Sequence, residues 1–225
     1  MKHRSIAIDG PSGAGKSTLA RRAAAELGFL YVDTGAIYRT VALAAARRGI
    51  APDDREGVLP LLPQLRIGIE YGSDGLQHML LDGEDVSEAI RVHEISQRAS
   101  TVSAIPEVRA FLLDLQRRFA RENNVVMDGR DIGTVVLPDA DVKIFLTATG
   151  EERARRRWLE LKERGQDTPY ETVLHDVEER DRQDSQRAVA PLRQAEDAVL
   201  LDTTKLDPQQ SLDALLDVIR EGFSK

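Results

Sequence analysis

Short apolar runs alternate along the chain with longer stretches in which apolar residues recur at helical spacing. The short runs predict five strands, at residues 5–8, 29–32, 125–127, 142–146 and 198–201. The longer stretches predict helices at residues 15–27, 36–48, 106–121, 151–164, 169–187 and 208–222. Strands that alternate with helices are typical of a parallel sheet covered by helices, so we expect an α/β fold around a mostly parallel, five-stranded sheet.

The region between residues 64 and 86 departs from this alternation. Two short strand-like runs, at 65–69 and 78–81, flank a predicted turn at residues 72–75. This pattern indicates a small antiparallel insertion between the second and third strands of the main sheet. Residues 87–121 return to helix, and the apolar face expected there consists of Val108, Phe111, Leu112, Leu115 and Phe119. In the last helix the expected apolar face consists of Leu212, Leu215, Leu216 and Ile219.

Composition excludes several kinds of chemistry. The chain has 225 residues and no cysteine, so disulfides, thiolate metal sites and cysteine nucleophiles are excluded. Its four scattered histidines make a zinc site a poor expectation. A net charge of −7 and 4% aromatic residues argue against a nucleic-acid-binding surface. No run approaches the length of a membrane span and the N-terminus has no signal-peptide core, so we expect a soluble, cytoplasmic protein.

The segment between the first strand and the first helix carries the strongest functional signal. The sequence GPSGAGKS fits the phosphate-binding pattern G-x-x-x-x-G-K-[ST], and a glycine-rich turn with a chance lysine is the weaker alternative. Glycines let backbone N–H groups turn toward phosphate oxygens, and the helix that follows directs its positive end at the same anion. A lysine reaches the outer phosphates and a serine hydroxyl serves Mg²⁺. The predicted nucleotide-binding residues are Gly10, Pro11, Ser12, Gly13, Ala14, Gly15, Lys16, Ser17 and Thr18.

Three further segments carry arginine beside acidic residues: 33–39, 128–133 and 180–187. The first two follow predicted strands, at the sheet edge where α/β proteins bind ligands. Asp128 stands where such proteins place a carboxylate near Mg²⁺, usually through water. On a helix, Arg180, Asp184 and Arg187 share one face. Taken singly, each segment is also compatible with a turn or with a solvated, salt-bridged helix.

A pocket with basic residues on two sides suits phosphoryl transfer between two phosphorylated molecules. Charge gathers on the oxygens of the transferring group, so catalysis is mainly positioning and electrostatic stabilisation by Lys, Arg and Mg²⁺. No protein nucleophile is needed. The alternatives are a P-loop kinase for another small acceptor, a non-catalytic nucleotide switch and a nucleic-acid-dependent ATPase. The N-K-x-D guanine motif that GTPase switches normally carry does not occur.

The chain closely resembles the bacterial cytidylate kinase family from Ile6 to about Thr203. The resemblance rests on the motifs IDGPSGAGKST, DTGAIYR, LDGEDVSEAIR, DGRDIGT and RDRQDSQRAVAPL. It implies a single P-loop kinase domain over 1–225, with an inserted monophosphate-binding lobe at about 38–100 and a helical lid at about 153–168. It also implies Mg²⁺-dependent transfer of the ATP γ-phosphoryl group to CMP or dCMP by a monomer that binds neither nucleic acid nor membrane.

The resemblance also implies roles for individual residues. The group at the transferring phosphoryl consists of Lys16, Asp128, Arg130 and Arg187. The CMP-binding residues are Thr34, Arg39, Ser100, Arg109, Arg130, Asp131, Arg180, Asp184 and Arg187. Arg153 and Arg157 would belong to the lid over ATP, Ser17 would bind Mg²⁺ directly and Asp128 would do so through water. Ser17 stands where many relatives have glycine and Thr34 replaces a frequent serine, and neither departure removes a needed group.

Overall fold

The computed structural model describes residues 3–72, 75–163 and 165–224. Two members of the predicted turn, 73 and 74, and residue 164 of the predicted lid lie outside the described residues. The strands are β1 (Ser5–Asp9), β2 (Leu30–Asp33), β3 (Ile67–Tyr71), β4 (Gln77–Leu81), β5 (Glu84–Asp85), β6 (Val125–Gly129), β7 (Val142–Thr147) and β8 (Val199–Asp202). The helices are α1 (Lys16–Leu27), α2 (Thr34–Arg47), α3 (Arg55–Val58), α4 (His93–Val102), α5 (Pro106–Glu122), α6 (Gly150–Glu163), α7 (Tyr170–Gln186) and α8 (Pro208–Phe223).

Five strands form the main sheet in the order β2-β6-β1-β7-β8. Strand β1 is central and pairs in parallel with β6 on one side and β7 on the other. Strand β7 pairs in parallel with β8. Parallel strands expose their carboxyl ends at one edge, so Asp9 and Gly129, which are paired in register, end their strands together. The predicted α/β fold and its five-stranded parallel sheet are confirmed.

The chain divides into two compact units. The first comprises the residues up to Leu30 together with those from Asn123 onward, and the second runs from Tyr31 to Glu122. Because the division follows contacts within each unit, it does not test the predicted lobe at 38–100 or the lid at 153–168, which stay predictions. Among the described residues, no helix is both long and apolar enough to span a membrane.

The core of the first unit is built from the fully buried strand β1 and the apolar faces of the helices. Helix α8 buries the four residues expected from its spacing: Leu212, Leu215, Leu216 and Ile219. Full burial of each such side chain is worth about 1.5–3 kcal/mol. The helix begins at a capping box, in which the Asp207 side chain accepts from backbone N–H groups and the Gln210 side chain returns to the Asp207 N–H.

The second unit contains the predicted antiparallel insertion, and it has one strand more than expected. Strands β3 and β4 pair antiparallel, from Ile67 opposite Leu81 to Tyr71 opposite Gln77. The two-residue strand β5 then pairs with the end of β4. A strand this short has no alternation to detect, so sequence periodicity could not predict it. The same holds for the one-turn helix α3 and for the 3₁₀ turns at Leu62–Gln64 and Ala89–Arg91.

Helix α5 has the predicted bounds to within a residue, but the predicted apolar face was wrong in part. Val108 and Leu112 are buried as expected, whereas Phe111 is 37% exposed. The buried face instead includes the polar side chains of Arg109 and Gln116. An apolar-periodicity pattern ignores polar residues, so it shifted the expected face by about one position around the helix.

Candidate active site

The glycine-rich loop lies between β1 and α1, as the sequence predicts. Gly13 and Gly15 have φ values of 75° and 86°, which place them in the left-handed region that glycine adopts without strain. Gly15 is the N-cap of α1 and has no side chain to cap the helix. The free N–H groups at the start of α1 therefore remain available to an anion.

Lys16 is buried at the start of α1. Its Nζ donates a hydrogen bond to the carbonyl oxygen of Pro11 at 2.7 Å, so the side chain runs back over the loop. Burial above all, together with the nearby Arg130 charge, lowers the pKa of Lys16 to about 7, against the opposing charges of Asp128 and Asp184. An anion at the loop would add a favourable partner for the ammonium group.

Ser17 and Asp128 are brought together by the sheet. The Ser17 Oγ donates to Asp128 Oδ2 at 2.9 Å, although the two residues are far apart in sequence. Asp128 lies near the end of β6, beside the strand that leads into the glycine-rich loop. A hydroxyl and a carboxylate are oxygen donors of the kind that Mg²⁺ prefers.

Asp9 is a site residue that the sequence analysis missed. Its two carboxylate oxygens accept hydrogen bonds from the N–H groups of Ile132 and Gly133, each at 2.7 Å. Burial raises the pKa of Asp9 to about 6, against these two hydrogen bonds, which lower it. The carboxylate thereby fastens the π-helical turn Ile132–Val136 to the end of β1. The one sequence signal was an acid at the last position of a strand, immediately before the glycine-rich loop.

A buried network of arginines and aspartates lies in the same unit. The Arg130 Nε donates to Asp184 Oδ2 at 2.7 Å. Arg187 lies 3.6 Å from Asp131 and 4.0 Å from the second oxygen of Asp184. Burial alone would raise the pKa of Asp184, but Arg130, Arg180 and Arg187 together hold it below its ordinary value. The network therefore favours the ionised form of Asp184 and places Arg130 and Arg187 beside it.

The Arg153 side chain donates four hydrogen bonds to other parts of the protein. Its Nε donates to the Ala148 carbonyl at 2.9 Å and its Nη1 donates to the Ser12 carbonyl at 3.0 Å. The guanidinium also forms a two-point pair with Asp181, at 2.9 and 2.5 Å. Arg153 thus joins α6 to the glycine-rich loop and to α7, and its predicted contact with ATP stays a prediction.

The other arginines of α6 are largely neutralised by acids of the same helix. Arg155 and Arg156 both pair with Glu152, whose pKa falls to about 2 through the Arg155 hydrogen bond above all. Arg157 lies 3.2 Å from Glu160 at the surface. The like charges on this helix are therefore offset by acids of the same helix, and a contact of Arg157 with ATP stays a prediction.

The second unit holds the remaining predicted residues. Asp33 caps α2 by accepting from the Ala36 N–H at 2.9 Å, and its other oxygen accepts from Arg39 Nη2 at 2.8 Å. Thr34, the first residue of α2, is buried. The Arg39 Nε is buried without a hydrogen-bond partner among the described residues, so it is a donor available to an anion.

Ser100 and Arg109 are connected through Ser103. The Ser103 Oγ donates to the Ser100 carbonyl at 2.8 Å, and the Ser103 carbonyl accepts from Arg109 Nη1 at 3.2 Å. The Arg109 guanidinium also lies 5.1 Å from the centre of the Tyr38 ring, within cation–π range. These contacts fix a buried guanidinium between α2 and α5.

The parallel sheet, the glycine-rich loop that joins β1 to α1, and the paired Ser17 and Asp128 together define a nucleotide-binding protein of the P-loop class. Within that class, the chain belongs to the cytidylate kinase family, whose model matches residues 6–221. This is a family of phosphotransferases, as the resemblance in the sequence implies.

Curated relatives agree with this assignment. The cytidylate kinase of Syntrophotalea carbinolica is 54% identical over 216 residues, which cover 96% of this chain and 92% of the relative. The cytidylate kinase of Caldicellulosiruptor bescii is 50% identical over 218 residues, which cover 97% of this chain and 96% of the relative. A solved structure of an uncharacterized protein from Eubacterium ventriosum ATCC 27560 has a TM-score of 0.51 over 99% of each chain. Its 13% identity limits that likeness to the fold.

Proposed function

We propose that this chain transfers the γ-phosphoryl group of ATP to CMP or dCMP, giving ADP and CDP or dCDP. The observation that carries the proposal is the family match over residues 6–221, joined to the geometry of a P-loop with its lysine and serine in place. The acceptor phosphate oxygen attacks the γ-phosphorus in line with the departing ADP, and no covalent enzyme intermediate forms.

On the donor side, residues 10–18 of the glycine-rich loop hold the ATP phosphates. Lys16 neutralises charge that gathers on the transferring oxygens, and the N–H groups at the start of α1 add to this. Arg153 and Arg157 are proposed to contribute from α6. Ser17 and Asp128 fit Mg²⁺ because their oxygens lie within hydrogen-bond distance of each other, and we assign Ser17 as the direct ligand and Asp128 as the ligand through water. When bound by these two residues, Mg²⁺ would supply positive charge that stabilises the phosphate oxygens.

On the acceptor side, the assignments follow the family resemblance residue by residue. From the second unit we propose that Arg39 binds the acceptor phosphate, which its unpartnered Nε supports, and that Thr34, Ser100 and Arg109 bind CMP. From the first unit we propose Arg130, Asp131, Arg180, Asp184 and Arg187. The strongest support is the buried network itself, which holds Arg130 and Arg187 as charged donors suited to phosphate oxygens.

The choice of base has a physical reason. Cytosine presents an amino donor where uracil presents a carbonyl acceptor. The Asp131 carboxylate is buried, so it accepts from the amino group and repels the carbonyl. Loss of one hydrogen bond to a buried carboxylate costs about 1–3 kcal/mol, enough to discriminate between the two pyrimidines.

The deciding experiment measures ADP release from ATP and Mg²⁺ with CMP, dCMP, UMP, AMP, GMP and dTMP. We expect CMP and dCMP to be far ahead of the rest, and Lys16→Met to lower kcat by about 100-fold or more. Activity that is highest with another monophosphate would leave a kinase but overturn the assigned roles of Ser100, Arg109 and Asp131. No activity with any monophosphate, despite ATP binding, would overturn the proposed function.

We also propose that the protein is a cytoplasmic monomer that binds neither nucleic acid nor membrane. The acidic net charge of −7 supports the part of this proposal that concerns nucleic acid. Light scattering coupled to size exclusion tests the oligomeric state, for which the chain mass of 24.9 kDa is the expected value. Retention of single-stranded DNA at low salt would contradict the proposal.

A further inference from the structure

Two side chains at one end of the β3–β4 hairpin reach the backbone of β2. Tyr71 and Gln77 are direct partners across the hairpin. The Tyr71 Oη donates to the Tyr31 carbonyl at 2.8 Å, and the Gln77 side chain contacts the backbone of Asp33. Burial raises the pKa of Tyr71, so the phenol keeps its proton and remains a donor. These two side chains thus bind the backbone of β2 at two alternate residues, Tyr31 and Asp33.

The Gln77 amide engages both backbone groups of Asp33. Its Oε1 accepts from the Asp33 N–H at 2.7 Å, and its Nε2 donates to the Asp33 carbonyl at 3.3 Å and to Met79 Sδ at 3.0 Å. A side-chain amide offers the same donor and acceptor as a peptide group, so Gln77 replaces a neighbouring strand at this one residue. A rotated amide would oppose donor to donor, so the contact has one favourable orientation.

The residue held in this way orients the proposed phosphate-binding arginine. One Asp33 oxygen caps α2 and the other pairs with Arg39, so a shift of the Asp33 backbone displaces the guanidinium. The Asp33–Arg39 ion pair passes close to Gly35, where a Cβ would lie 3.0 Å from both Arg39 Nη1 and Asp33 Oδ1. Glycine at position 35 therefore leaves the space that the ion pair occupies.

We propose that Gln77 and Tyr71 are positioning residues for the acceptor phosphate. They act through the β2 backbone and Asp33 on Arg39, and neither touches a nucleotide. This inference rests on the proposed function, because it takes Arg39 to bind the phosphate of the acceptor. It gives the antiparallel insertion a task besides enlarging the acceptor lobe, since the hairpin then sets the direction of the arginine.

The test compares four variants of the full chain. Gln77→Ala removes both amide groups, Gln77→Glu places a second acceptor against the Asp33 carbonyl, and Tyr71→Phe removes only the hydroxyl. The matched control is Glu70→Gln, on the same hairpin and exposed. We expect the KM for CMP to rise about tenfold in both Gln77 variants and about threefold in Tyr71→Phe. We expect kcat and the KM for ATP to stay within about twofold of wild type in all four.

A second readout does not depend on activity. The Asp33 amide donates to Gln77, so its hydrogen exchange should be faster in Gln77→Ala than in wild type and in Glu70→Gln. An unchanged exchange rate would overturn the contact. An unchanged KM for CMP, or equal rises in both KM values with a lower melting temperature, would overturn the positioning role. If the proposed function is wrong, the wild-type protein itself will not turn over CMP. That outcome is distinguishable from failure of the positioning role, in which the wild-type protein is active.

Discussion

Asp131 is the buried carboxylate that we propose to distinguish cytosine from uracil. In that proposal, replacing it by alanine removes both the acceptor for the cytosine amino group and the repulsion of the uracil carbonyl. We expect Asp131→Ala to lower kcat/KM for CMP and to narrow the CMP-over-UMP preference by about tenfold or more. Steady-state kinetics with both substrates measure the ratio. A ratio equal to that of wild type would remove Asp131 from base recognition.

Gln116 is a buried side chain whose polar atoms serve no visible partner. It is 1% exposed, and neither its Nε2 nor its Oε1 has a hydrogen-bond partner among the described residues. Because a buried amide without partners costs about 1–3 kcal/mol, we expect Gln116→Met to raise the free energy of unfolding by about 1 kcal/mol. Urea denaturation measures this free energy, and Gln97→Met, a substitution of an exposed glutamine, is the control. A loss of stability in Gln116→Met alone would mean that the amide is satisfied and structural.

The residues that could be predicted from sequence are those in motifs with a chemical reason for each position. Ser17 and Asp128 lie together because the loop pattern fixes one and the strand end fixes the other, at the same edge of the sheet. Asp9 and Gln77 could not be predicted in this way. Each acts on backbone groups of a segment far away in sequence, and a single sequence holds no record of such contacts.

Helix α6 is joined to α7 and to the glycine-rich loop through the side chain of Arg153. Asp181 on α7 holds the Arg153 guanidinium, which in turn holds the Ser12 carbonyl of the glycine-rich loop. We expect Asp181→Asn to lower the free energy of unfolding by about 1–3 kcal/mol and to raise the KM for ATP. Thermal unfolding and ATP titration measure these two effects.

The matched control for this prediction is Asp217→Asn, which breaks an exposed pair with Arg220. Such a surface pair contributes about 0–1 kcal/mol, so its loss should barely move the melting temperature. Equal effects of the two substitutions would show that Arg153 is not a connection between elements.

Elements with a repeating pattern could be predicted, and those without one could not. The five strands of the main sheet and the long helices repeat apolar residues over several turns or alternations, so their bounds agree to within about two residues. Strand β5 and the π-helical turn at Ile132–Val136 exist because of contacts made elsewhere, to β4 and to Asp9 respectively. Their own residues contain too few positions to reveal them.

For the whole molecule, two buried carboxylates give stability opposite dependences on pH. The pKa of Asp9 is raised from 3.8 to about 6, so the folded protein keeps a proton that the unfolded chain has released. The free energy of unfolding therefore contains a contribution that falls as pH rises from about 4 to 6, by up to about 3 kcal/mol. The pKa of Asp184 is lowered, so its contribution is lost only as pH falls below 3.8.

Substitution of either carboxylate should change how the free energy of unfolding depends on pH. Asp9→Asn should flatten the dependence of the free energy of unfolding on pH between 4 and 6, whatever it does to the value at neutral pH. Asp184→Asn should leave the slope between pH 4 and 6 unchanged, and should alter the dependence of the free energy of unfolding on pH below that range. Urea denaturation at a series of pH values measures both, with the exposed Asp53→Asn as control. An Asp9→Asn slope equal to that of wild type would show that the carboxyl titrates normally.

Gly10 is the position at which the glycine-rich loop packs directly against the backbone of the main sheet. A Cβ at this position would lie 1.9 Å from the carbonyl oxygen of Leu146 in β7, a backbone atom that cannot turn aside. A single methyl group would thus act as a wedge between loop and strand. In a library of all substitutions, position 10 should be lost in a screen for folded protein as well as in one for activity. At Gly28 a Cβ would meet open space, so substitutions there should lower stability only through the strain of its positive φ and should leave nucleotide binding unchanged. A substitution at position 10 should therefore disturb nucleotide binding and folding together, so selection on either property acts on the same codon.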